Sequence, residues 1–184
     1  MFEMHNCVVL SGLPGSGKSA LAKILAEQTG WQVFSTGGLW RQTWKEKYPD
    51  QNVSFEAYWK GTTTEENLQM EDRKRAVFEQ GGIIGETRYV PFCEGLPALR
   101  VFITADLEVR AQRAEGSDKY VGKSAEDIMP ILAKREEDEL EMGKQMYENY
   151  DFRDPNHYQL VLNSGSLTLE QEVATILSIL ENRK

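Results

Sequence analysis

Apolar positions along the chain alternate between short unbroken runs and longer stretches in which they recur three and four residues apart. The run from His5 to Leu10 is rich in valine and leads directly into GLPGSGKS at Gly12 to Ser19, which predicts a strand, a loop and a helix in that order. Ser16 to Gln28 carries Ala20, Leu21, Ile24 and Leu25 at helical spacing, and Gly30 stands where a helix-ending glycine belongs. Trp31 to Phe34 reads as a second strand. Thr36 stands in a capping position before a mostly polar helical region reaching Tyr48; after the turn Pro49-Asp50 the helical pattern resumes, clearest from Glu65 to Gln80, and Gly81-Gly82 stops it. Ile83 to Glu86 and Leu99 to Ala105 read as buried strands, with a helix starting near Leu107. Ser124-Ala125-Glu126-Asp127 has the character of a capping box and opens a charged helix to about Met142. Tyr158 to Leu162 gives the last strand, and Thr168-Leu169-Glu170-Gln171 caps a final helix bearing Val173, Ile176, Leu177 and Leu180. Strands alternating with helices imply one three-layer α/β domain over residues 1–184, its five-stranded parallel sheet covered by helices on both faces.

Composition narrows the class of partner. At 184 residues with 40% hydrophobic content the chain is long enough to bury its own core, and a net charge of −8 argues against a broad nucleic-acid surface. No apolar run approaches membrane-spanning length and the first residues lack a secretory pattern, so no membrane partner is expected and a cytoplasmic setting is. Cys7 and Cys93 are isolated thiols, and with His5 and His157 they form no metal-ligand spacing.

The sharpest chemistry lies in the first loop. Gly12, Gly17, Lys18 and Ser19 satisfy G-x-x-x-x-G-K-[ST] between a strand and a helix, the context in which this motif cradles phosphates. Gly12, Leu13, Pro14, Gly15, Ser16 and Gly17, with Lys18, Ser19 and Ala20 opening the helix, are therefore the expected ATP-binding residues. Lys18 would place its charge on the β- and γ-phosphates, and the Ser19 hydroxyl would ligate Mg²⁺. Glu86 ends the third strand, either as a second contributor to the magnesium shell or merely as a strand terminus. Arg41, Arg88, Arg110, Arg113 and Arg135 come from four separate segments, and phosphoryl transfer is catalysed mainly by convergent charge and positioning.

These segments resemble the nucleoside monophosphate kinases, and among them the compact, archaeal-like cytidylate kinases. STGGLWR at Ser35 to Arg41 is similar to the segment opening the family's monophosphate site, and IIGETR at Ile83 to Arg88 to its strand ending in E-G-R or D-G-R. ITADLEVRAQR at Ile103 to Arg113 is similar to the elements leading into the family's lid, and KREEDELE with YQLVLNSGSL to its C-terminal third. The resemblance implies a P-loop kinase fold with a helical acceptor-binding insertion at 36–80 and a short lid at 114–123. It implies Thr36, Arg41, Arg88, Arg135 and Glu139 as acceptor-binding residues, Arg110 and Arg113 on the transferring group, and CMP or dCMP as acceptor. Three positions depart from the family pattern: Thr87 stands for a glycine, Met142 for a second arginine, and the lid lacks an arginine near Val121, with Lys119 or Lys123 as possible replacements. Trp40 and Trp44 share a face of the acceptor helix, where an aromatic ring packs or stacks on a base. Adenylate-type and non-nucleotide metabolite kinases remain alternatives at this point, as does an ATP-binding regulatory module, although the D-G-F-P-R motif of the adenylate type and the acidic shikimate-binding pattern after the second strand are absent; oligomeric state is left open.

Overall fold

A computed structural model describes residues 5–181; the outermost ends of the expected 1–184 domain lie outside the described residues. Five strands form one sheet: β1 (Cys7–Gly12), β2 (Gln32–Ser35), β3 (Ile83–Glu86), β4 (Ala98–Thr104) and β5 (Leu160–Asn163). Their order is β2-β3-β1-β4-β5, and every pairing is parallel. The chain leaves β1 toward one edge and later fills the other, so a crevice opens at the carboxyl ends of the central strands, where α/β sheets bind ligands.

Both faces of the sheet are covered, which is why its strands read as continuous apolar runs. Val8 and Leu10 of β1 point into one core with Ile84, Val101, Ile103 and the inner faces of α1 (Lys18–Thr29) and α7 (Leu169–Glu181). Cys7 and Val9 point into the other, built on Phe78, Phe92, Phe102 and Phe152 beneath α4 (Thr64–Phe78) and α6 (Ala125–Met146). Two smaller cores hang from this frame. α2 (Thr36–Lys47), α3 (Phe55–Lys60) and α4 enclose Trp40, Tyr58 and Met70, with Trp44 and Phe55 packed alongside. α5 (Leu107–Ala114) packs on α6 through Ala111, Ile128 and Leu132, and Tyr120 is buried with them.

Most boundaries moved by a residue or two from the pattern-based expectation, α6 runs on to Met146 rather than ending near Met142, and one cap changed. Ser35, not Thr36, caps α2: its hydroxyl accepts from the Gly38 N–H at 3.2 Å. Thr36 becomes the first helical residue, and its buried hydroxyl has no hydrogen-bond partner among the described residues. Within the lid expected at 114–123, Asp118–Tyr120 forms a 3-10 turn docked through the Tyr120 ring.

Gly85 in β3 has no room for a side chain, since a Cβ there would stand 2.0 Å from Cζ of Phe78. Gly85→Ala is therefore expected to lower unfolding free energy by about 1–3 kcal/mol. Urea denaturation followed by circular dichroism checks this, and an unchanged midpoint would mean that Phe78 can move aside freely.

Candidate active site

The loop after β1 is shaped by close approaches. A Cβ at Gly12 would stand 2.1 Å from the Ile103 carbonyl oxygen of β4, and Gly12, Gly15 and Gly17 all hold positive φ. Two side chains grip the loop from outside. Nη1 of buried Arg110 donates to the Pro14 carbonyl at 3.1 Å, and the Ser164 hydroxyl donates to the Ser16 carbonyl at 3.1 Å. With these carbonyls held, the loop leads into the first turn of α1, where the N–H groups of Lys18 and Ser19 have no acceptor within the helix. That arrangement suits an anion.

Lys18 curls over the same concavity. Its ammonium donates to the carbonyls of Gly12 and Leu13 at 3.0 and 2.8 Å. Desolvation and the neighbouring Arg88 guanidinium hold its pKa well below the ordinary lysine range. Ser19 stands beside it, and its hydroxyl donates to Oε2 of Glu86 at 2.6 Å. This pairing joins the start of α1 to the end of β3 and puts two hard oxygen donors side by side, the donor chemistry that suits Mg²⁺. No group of three or more His, Cys, Asp or Glu able to hold a metal occurs among the described residues, so the remaining shell would come from phosphate oxygens and water.

A second cationic cluster faces the first, organised by Glu139 on α6. Glu139 is only 5% exposed and serves two arginines, one on each oxygen. Nε of Arg88 lies 2.5 Å from Oε2, and Nε of Arg135 donates to Oε1 at 2.9 Å. Burial opposes the carboxylate's charge, but Arg88, Arg135 and Lys18 outweigh it and hold its pKa below the ordinary value. Arg88 retains a buried Nη1 without a hydrogen-bond partner among the described residues. Tyr89 fixes the assembly from behind, its hydroxyl donating to the Glu139 carbonyl at 2.7 Å. Arg41 on α2 donates to Gly37 at 3.1 Å and lies 5.2 Å from the Phe55 ring centroid.

The docked 116–123 segment supplies a further cation. Lys119 has a pKa lowered to about 8, first by desolvation and then by Arg135 and Arg41, which places it in the same basin. Lys123 instead lies among the neighbours of Asp127 at the start of α6. Of the two lysines considered as replacements for a lid arginine, Lys119 is the one in the cluster. Spacing could not separate them; the charges of Arg135 and Arg41 felt at Lys119 do.

Two arginines depart from their expected places. Arg110 was expected at the transferring group, but its donors are engaged by the Ala105 and Pro14 carbonyls and by Glu136, so it braces the loop. Arg113, one turn later on α5, faces the β5–α7 connection: it donates to the Ser164 hydroxyl at 2.8 Å and to the Ser164 carbonyl, with Glu172 as its acidic neighbour. Trp40 and Trp44 pack within the α2–α4 core, and the indole N–H of Trp44 donates to Val53 at 2.8 Å. The sequence departures also find physical reasons. Thr87 is buried and accepts from Lys74 at 3.1 Å, while Met142 packs against the Phe-rich core.

The model of the cytidylate kinase-like family matches residues 7–166. Among curated proteins, the cytidylate kinase of Methanopyrus kandleri is 30% identical, with 96% of this chain and 93% of that protein covered. The cytidylate kinase of Archaeoglobus fulgidus is also 30% identical, over 96% of each chain. Among solved structures, a shikimate kinase from Bacteroides thetaiotaomicron superposes with a TM-score of 0.60 at 16% identity, covering 95% of this chain and 98% of that one; this likeness concerns the fold.

The position of Lys119 carries a pH dependence. Below about pH 8 its ammonium is present in both free and phosphate-bound protein; above it, the free protein has lost a proton that a bound phosphate draws back. Affinity for a nucleoside monophosphate is expected to fall as pH rises from about 7.5 to about 9.5, by up to roughly tenfold per unit. Lys119→Arg should flatten that fall. Calorimetric titration across the range checks both, and a flat wild-type profile would place Lys119 outside the phosphate basin.

Proposed function

The chain belongs to the cytidylate kinase-like family of nucleoside monophosphate kinases, and from that premise we propose that it transfers the γ-phosphoryl group of ATP to the 5′-phosphate of CMP or dCMP. The observation that carries this reading is the pair of opposed cationic basins, one on the P-loop and one around Glu139, separated by the open ends of β1 and β3.

The loop Gly12 to Gly17 and the first turn of α1 receive the ATP phosphates, and Lys18 exchanges its hold on the Gly12 and Leu13 carbonyls for phosphate oxygens. Its depressed pKa supports that exchange, because an anion beside it restores the favoured charged form. Mg²⁺, when bound at Ser19 and Glu86, would neutralise charge between the β- and γ-phosphates. On the acceptor side, Arg88 and Arg135 are already oriented by Glu139, so ordering them costs little when the monophosphate arrives. The Thr36 hydroxyl and Nη1 of Arg88, unpartnered among the described residues, are buried donors whose desolvation an acceptor phosphate would relieve. Arg41 reaches that phosphate from α2. Lys119, whose charge is coupled to those of Arg135 and Arg41, adds positive charge where the transferring group develops negative charge. Arg110 acts through the loop by fixing the Pro14 carbonyl. Closing these groups around both substrates also excludes water, the competing acceptor.

ADP release from ATP and Mg²⁺ tests this reading, with CMP, dCMP, UMP, AMP, GMP, shikimate and gluconate offered separately. Stimulation by CMP or dCMP above all others is expected. Stimulation only by a phosphate-free metabolite, or by no acceptor, would overturn the cytidylate assignment. Lys18→Ala should lower turnover by roughly 10²- to 10³-fold while the melting temperature stays within a few degrees.

A further inference from the structure

α4 buries a lysine completely. Lys74 is 0% exposed, its ammonium 2.5 Å from Oε1 of Glu71 and 4.4 Å from the Phe92 ring centroid, and it donates to the Thr87 hydroxyl at 3.1 Å. An enclosed ion pair of this kind adds little net stability. Glu71 spends only one oxygen on it. Oε2 is buried and completes no hydrogen bond of proper geometry among the described residues, and neither does the hydroxyl of Tyr147. The two stand close together: burial first, and the Glu71 carboxylate next, push the Tyr147 phenol far above its ordinary range, so it remains a proton donor.

Both groups line one cavity of about 220 Å³, walled by Pro91 and Phe92 and open at Leu68. The cavity lies one aromatic layer from the acceptor-phosphate cluster. Tyr147 packs edge-on against Tyr89 with centroids 6.3 Å apart, and Tyr89 holds the Glu139 carbonyl. Lys74 reaches Thr87, the residue before Arg88. The cavity and the acceptor-phosphate cluster thus share Tyr89 as a common wall, which sets them side by side as the base and phosphate ends of one nucleotide would be.

We propose that Glu71 and Tyr147 read the acceptor's base, with the Phe92 ring as a flat wall, so that Glu71 and Tyr147 determine specificity in the reaction assigned above. This inference rests on that assignment. A carboxylate oxygen beside a phenolic O–H offers an acceptor next to a donor. Cytosine presents the complement, the 4-amino donor beside the N3 acceptor, whereas uracil presents a carbonyl beside an N–H and meets the pair like against like. Lys74 pins the first carboxylate oxygen and thereby aims the second. Tight discrimination follows because the wrong base leaves buried polar groups unpaired.

The test is kcat/KM for CMP and for UMP, together with KM for ATP, in wild type, Glu71→Gln and Tyr147→Phe. The wild type is expected to favour CMP. Glu71→Gln, whose amide can donate to a carbonyl, should shift the CMP:UMP ratio toward UMP by roughly tenfold or more. Tyr147→Phe removes a single hydroxyl and keeps the ring that packs on Tyr89 and Tyr150, so the fold should tolerate it, and it should lower the CMP:UMP ratio with KM for ATP within about twofold. Thermal melting identifies a misfolded Glu71→Gln protein, in which case the Tyr147→Phe ratio decides. A wild type that phosphorylates CMP while a folded variant keeps the wild-type ratio overturns the base-reading assignment alone. A wild type inactive on cytidine nucleotides overturns the proposed function as well.

Discussion

The positive charge of this site is arranged around one buried carboxylate. Glu139 takes Arg88 from the end of β3 on one oxygen and Arg135 from its own helix on the other. Guanidinium groups this close, together with Lys18, would repel one another in a partly desolvated cleft, and a single anion between them makes their proximity tolerable. The anion is not enough to neutralise them. An excess of cation, with donors of Arg88 and Thr36 unmet among the described residues, has the chemistry that a phosphate would complete. In a chain of net charge −8, that excess is local rather than a property of the whole surface.

The opposing basin solves a different problem, that of holding a glycine-rich loop open. Glycine permits the positive φ angles at positions 12, 15 and 17 but does not enforce them. Arg110 and Ser164 supply the enforcement by capturing the Pro14 and Ser16 carbonyls, and Arg113 steadies Ser164 in turn. The three residues come from α5 and from the β5–α7 connection, so the loop's shape depends on the far half of the sheet. Ser19 and Glu86 join the loop to β3 in the same way on the other side.

The layers, the five strands and the P-loop were legible in the sequence because each follows from local pattern: apolar runs for strands covered on both faces, helical spacing elsewhere, and a loop motif whose context is adjacent in the chain. Glu86 beside Ser19, and Arg135 four residues from Glu139 on one helical face, were legible for the same reason. What local pattern could not supply was the direction of long side chains. Arg110 and Arg113 looked alike on one helix, yet three residues of rotation send one to the Pro14 carbonyl and the other to Ser164. Thr36 was read as a cap because Ser35 and Thr36 are both good caps, and only the backbone at Ser35 separates them. The Lys74–Glu71 pair left no signal, since within the polar stretch of α4 it looks like any exposed pair three residues apart. Thr87, a departure from the resembled pattern, was the one clue, and its reason is the lysine behind it.

The account stands or falls on Glu139 as the organiser of the acceptor basin. The direct measurement is Glu139→Gln kinetics with each substrate varied separately, at a temperature where melting shows the variant folded. The account predicts kcat/KM for the nucleoside monophosphate lowered by roughly a hundredfold with a much smaller rise in KM for ATP, because displaced arginines misplace the acceptor while Lys18, though it loses a compensating charge, keeps its place on the Gly12 and Leu13 carbonyls. Equal losses for both substrates, or none for the acceptor, would contradict it.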